Sequence, residues 1–207
     1  MTIHPSPHPQ TPTPAAGFTL VELLLAIGLG TLLCGVLLQT LLGGFRITTA
    51  MAQRLHARRQ QHQVLSLIGD ERAMGHGAIA NPVPSPTWPC SLAGRRPVLA
   101  IALSASDPDA RHQAIIYSVG TAPSPIWRGQ VLMRCGPAYG LNGRINPTSK
   151  FQNRVLLDGL PSGHNQGLQA TVDPQLAVID LSLEQQLPVK SWHRNNQAAR
   201  LTSTATI

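Results

Sequence analysis

The chain of 207 residues has room for one ordinary domain and an appendage. At 43% apolar and only 12% charged residues, it is too poor in charge for all its apolar material to lie in one water-facing globule. Lys and Arg number 16 against 9 Asp and Glu, a net charge of +7. The one formally charged side chain between Met1 and Phe45 is Glu22, so the basic balance belongs to residues 46–207. Nucleic acid, acidic lipid headgroups and an acidic protein all stay open as partners, because net charge alone does not choose among them.

Residues 1–16, "MTIHPSPHPQTPTPAA", carry proline at 5, 7, 9, 12 and 14 and little apolar bulk, which predicts a leader with neither helix nor core. From Phe18 to Phe45 the sequence is apolar apart from Thr19, Glu22, Thr31, Gln39 and Thr40. That run exceeds the roughly 20 residues that span a hydrocarbon core. Glycines at 28, 30, 35, 43 and 44 would weaken a helix in water, yet small residues let neighbouring membrane helices approach closely. A cleaved secretory signal fits poorly, because the run is too long and no Lys or Arg precedes it.

Beyond Phe45, "RITTAMAQRLHARRQQHQVLSLIGDERAM" spaces Ile47, Met51 and Leu55 by four and Leu65 and Ile68 by three. Arg54, Arg58, Arg59, Gln60 and Gln61 take other faces. No proline interrupts residues 18–81, so the pattern predicts one helix of about 55 residues, apolar first and amphipathic second, stopped by Gly75, Gly77 and Pro82. A proline-rich loop follows around "NPVPSPTWPC", residues 81–90. Five strands are then predicted at 98–103, 113–119, 129–135, 154–160 and 176–184, with "TAPSP" as a hairpin connection between the second and third. The tail from Arg194 is read as a last strand or as nothing ordered. The expected divisions are 1–17, 18–45, 46–76, the loop 77–97, and a β-rich domain 98–207.

Little in this sequence points to catalysis. The eight histidines are scattered, with no H-E-x-x-H, G-x-S-x-G or P-loop, and no enzyme activity, metal or cofactor is expected. Asp107 and Asp109 in "SDPDA" read as solvated acids in a turn in preference to a calcium site. Cys34 lies in the apolar run. Cys90 and Cys135 form no metal pattern and are either a disulfide pair in an oxidising compartment or two buried thiols.

The stretch that remains is "GFTLVE", residues 17–22, in which Gly17 precedes Phe18 and Glu22 stands fifth from Phe18 at the head of the apolar run. It resembles the processing site of type IV prepilins and type II secretion pseudopilins. The resemblance implies that a membrane prepilin peptidase cuts between Gly17 and Phe18 and methylates the new amine of Phe18. It implies an α+β, pilin-like fold, with the long N-terminal helix packed on a C-terminal antiparallel β-sheet. It also implies a single-pass protein of the bacterial inner membrane with an exported domain, assembling with other pilins or pseudopilins through the helix. A carboxylate in hydrocarbon costs several kcal/mol unless protonated or paired. On the family reading Glu22 meets the Phe18 amine of a neighbouring subunit. Arg46, Arg54, Arg58 and Arg59 follow the run while the leader has no cation, so charge alone favours the reverse orientation and the motif favours export.

"IIYSV" leading to "VLMRC", with Tyr117 and Arg134, resembles minor subunits of the J or W type. The expectation is a structural minor subunit that primes or caps a type IV pilus or a type II secretion pseudopilus. The alternatives are a minor pilin that binds DNA during uptake and an unrelated signal-anchored membrane protein. Of the 16 cations 14 are Arg, which suits anion contacts.

Overall fold

A computed structural model describes residues 17, 19–107, 109–163, 166–173, 178–187 and 199–207, with backbone alone for 42–50. The chain divides into two compact units, Met1–Thr49 and Ala50–Ile207. Helix α1, Leu20–Met74, contributes to both and is 55 residues long. In the first unit, Leu20–Leu41 is 22 residues long and apolar enough to cross a membrane. The two threonine hydroxyls within it turn back on the helix, Thr31 donating to Gly28 O at 2.9 Å and Thr40 to Leu37 O at 2.9 Å, so neither is left unpaired in an apolar surrounding.

The second unit is α+β and entirely antiparallel. Its strands are β1 (Gly77–Ala80), β2 (Arg96–Ala102), β3 (Ala114–Thr121), β4 (Gln130–Gly136), β5 (Gln152–Leu160), β6 (Leu168–Asp173), β7 (Val178–Gln186) and β8 (Arg200–Thr206). They form a five-stranded meander, β1-β2-β3-β4-β5, and a separate three-stranded sheet, β6-β7-β8. The single predicted sheet is thus two. Strand β1 lies inside the segment predicted as loop 77–97, and β2 begins at Arg96, two residues before the predicted domain start. Asn81 joins the two sheets, its side-chain N–H donating to Ala170 O at 2.9 Å.

Strand β3 is buried from Ala114 to Val119 because both its faces are covered. On one face Ile115, Tyr117 and Val119 pack with Val64, Leu65 and Ile68 of α1 and with Leu168, Leu181 and Leu183 of the second sheet. On the other, Ala114 and Ile116 meet Trp88, Ala110 and Cys135 under the proline-rich segment. Trp88 is held there by its indole N–H, which donates to Ala110 O at 2.8 Å.

The buried face of α1 in this unit runs through Ala57, Gln61, Val64, Leu65, Ile68 and Glu71, the three-and-four spacing of a helix face against a core. Leu65 and Ile68 are buried as predicted, and the predicted stripe is corrected before them. Met51 and Leu55 are 64% and 67% exposed, whereas Gln61, predicted on another face, is fully buried. Gln61 is accommodated because it donates to Leu201 O at 3.1 Å and accepts from the Ser203 hydroxyl at 2.6 Å, so it stitches α1 to β8. The helix stops at Met74, and a Cβ on Gly75 would collide with Ile101 Cγ2, so glycine there permits the close approach to β2.

Candidate functional site

The head of α1 carries the motif. Gly17 is exposed and a Cβ placed on it meets no atom within 4 Å, while Phe18 lies outside the described residues. Thr19 and Glu22 form a reciprocal cap. The Glu22 backbone N–H donates to Thr19 Oγ1 at 3.3 Å, and Glu22 Oε2 accepts from the Thr19 backbone N–H at 3.5 Å and from its hydroxyl at 3.4 Å. These contacts are long, yet the pattern T-x-x-E satisfies helix-end donors that hydrocarbon would leave bare. The Thr19 N–H belongs to the Phe18–Thr19 peptide bond, so a cut between Gly17 and Phe18 would leave the cap intact. Sequence reasoning passed over this second use of Glu22, although Thr three residues before Glu at the start of an apolar run is its signature.

The strongest polar constellation lies in the second unit, around a residue the sequence did not single out. Glu71, fully buried on α1, receives four donors. Arg134 on β4 gives Oε1 both Nε–H, at 2.7 Å, and an Nη2 contact at 2.6 Å. Tyr117 on β3 donates to Oε2, and Tyr139, from the connection after β4, donates to Oε1. Tyr117 faces Arg134 in the β3–β4 register, and the Arg134 guanidinium lies 5.3 Å from the Tyr139 ring centroid. The remaining guanidinium donors reach Pro137 O at 3.2 Å. A Cβ on Gly136 would stand 2.9 Å from that guanidinium, so a side chain there would displace the fork.

Burial works against the Arg134 charge, but the hydrogen bonds and attraction of Glu71 outweigh it and raise its pKa further. Tyr117 is pushed well above its ordinary value, first by burial and then by the Glu71 charge; Tyr139 is raised for the same causes. A raised folded-state pKa favours the folded state below the unfolded value and loses that favour above it. Stability is therefore expected to fall once pH passes about 10, with a slope near 1.4 kcal/mol per pH unit from Tyr117 alone. The chain has two tyrosines, so tyrosinate absorbance should stay silent in the folded protein at a pH where the unfolded chain ionises.

Cys90 and Cys135 are joined in a disulfide with their Cα atoms 6.1 Å apart, which ties the proline-rich segment to the outer face of β4. It closes a sequence separation of 45 residues, worth about 4 kcal/mol by chain entropy. Under denaturing, non-reducing conditions a thiol assay should count Cys34 alone. Replacing both bridged cysteines by alanine should lower the unfolding midpoint steeply.

Among the described residues, three exposed arginines are matched with acids: Arg111 with Asp109 at 3.1 Å, Arg128 with Asp158 at 3.6 Å and Arg200 with Glu184 at 3.1 Å. Arg134 is likewise taken by Glu71; because each such pair removes one acid with one cation, the net positive charge rests on the arginines outside these pairs, less Arg95, which is largely buried. Asp107 accepts backbone N–H groups from His112 at 2.7 Å and Arg111 at 3.1 Å and holds a turn.

No family model, curated protein or solved structure matches this chain. The functional reading therefore stands on the residues themselves.

Proposed function

We propose that this chain is a minor pilin-like structural subunit, a pseudopilin, that primes or caps a type IV pilus or a type II secretion pseudopilus. The observation that carries the reading is Gly17, Phe18 and Glu22 in succession at the head of the apolar helix segment Leu20–Leu41. Prepilin peptidase cuts between Gly17 and Phe18 and methylates the amine, and the mature chain sits in the inner membrane with residues beyond the span exported. The Cys90–Cys135 bridge supports export, since disulfides persist in oxidising compartments. The pairing of Tyr117 with Arg134 on adjacent strands supports the minor-subunit reading.

Intact mass tests the proposal. Protein extracted from membranes that contain the peptidase should have lost residues 1–17 and gained one methyl group. An unprocessed mass under those conditions overturns it.

A further inference from the structure

We propose that the end of the second unit at which α1 enters it is a docking surface for anionic phospholipid. A groove of about 440 Å³ opens there, lined by the apolar Met51, Leu55, Leu187 and Leu201 together with Arg54, Arg58 and Arg200. The turn between β3 and β4 belongs to the same end. Arg128 of that turn pairs with Asp158, Gln185 donates to Asp158 O at 3.0 Å, and the neighbouring Gln186 is the register partner of Arg200. The turn presents Ile126, 76% exposed, beside the partly exposed ring of Trp127.

The charges decide the occupant. Asp158 and Glu184 are already engaged by Arg128 and Arg200, while Arg54 and Arg58 have no acidic partner among the described residues. What remains is uncompensated positive charge around exposed aliphatic and aromatic side chains. Acyl chains take up the apolar groups, the indole suits the headgroup level, and phosphates meet the guanidinium forks. A bilayer is also the surface this end meets at highest effective concentration if Leu20–Leu41 spans it, since Met51 follows Leu41 by ten residues of chain. The inference needs that span but not membership in a filament.

The test uses the full chain carrying Cys34→Ala and Ile126→Cys, labelled with a nitroxide at position 126. It is reconstituted in nanodiscs of phosphatidylcholine alone or with about 30% phosphatidylglycerol. In anionic discs the label should be reached by lipid-soluble oxygen and shielded from a water-soluble nickel chelate. Adding Arg54→Gln and Arg58→Gln, both at exposed positions, should weaken docking by roughly fivefold per arginine, and high salt should do the same to the parent. A label open to water in both lipids, or equal shielding in both, overturns the proposal. So does shielding that grows with protein density, which would assign the groove to a second copy. A chain that fails to insert overturns the membrane reading of Leu20–Leu41 and this inference with it, whereas insertion with position 126 in water overturns the inference alone.

Discussion

Glu71→Ala is expected to lower the unfolding free energy of the full chain by about 3–5 kcal/mol, a large share of a typical domain's stability. The loss arises less from the departed carboxylate than from what it leaves behind. The Arg134 side chain is 5% exposed, so without Glu71 its charge is buried with Pro137 O as its remaining acceptor. The buried Tyr117 hydroxyl would lose its partner as well. Replacing both ends of the ion pair removes the stranded charge, and Glu71→Leu combined with Arg134→Met should recover much of the loss. Tyr117→Phe should cost about 1–3 kcal/mol, because it deletes a buried donor and leaves one carboxylate oxygen bare. Urea unfolding with the disulfide intact measures all of these. A loss below about 1 kcal/mol for Glu71→Ala would mean that the Arg134 charge finds water or another acceptor and is not stranded.

The same cluster fixes more than an energy. Its members come from α1, β3, β4 and the connection after β4, so a slip of the helix by one turn along the sheet would separate Glu71 from all three donor residues at once. Apolar contacts of Val64, Leu65 and Ile68 tolerate such a slip far better, since burial is not directional. Together with Gln61 at β8, the cluster gives the helix one seat on the two sheets.

Long-range pairing is what the sequence concealed. The helix was legible because its signal is local, a proline-free stretch ending in two glycines before a proline. Strands β2, β3 and β4 announced themselves through apolar runs that are buried on both faces. Strand β1, "GAIA", has only small residues and one isoleucine between a glycine-rich stop and Pro82. Strand β8, "RLTSTAT", is polar along most of its length, and β6, "LQATVD", is short and half exposed. These three become strands through their neighbours. Gln61 misled and Glu71 went unnoticed for a related reason: a polar residue on a helix reads as solvent-facing unless its partner is known, and theirs lie on β3, β4 and β8. At the candidate site, Gly17, Phe18 and Glu22 were found by motif, while the Thr19 cap was written beside them and passed unread.

For Glu22 the cap and the proposed pairing with an N-terminal amine predict different outcomes, and two substitutions tell them apart. Glu22→Ala removes both the cap and the charge. Glu22→Gln keeps an oxygen able to accept from Thr19, as glutamine serves in capping boxes, but abolishes the charge. A cap at this position is worth about 1 kcal/mol, whereas losing one partner of an ion pair in an apolar surrounding costs about 3–5 kcal/mol. On the proposed function, both variants should still be cut after Gly17, since the cut lies five residues before position 22. Both should enter sheared filaments at about a hundredth of the normal level or less, the factor that some 3 kcal/mol implies. Incorporation of the glutamine variant at a near-normal level, with the alanine variant reduced about fivefold, would assign Glu22 to the helix cap and remove it from assembly. Equal and normal incorporation of both would reject either role in the filament.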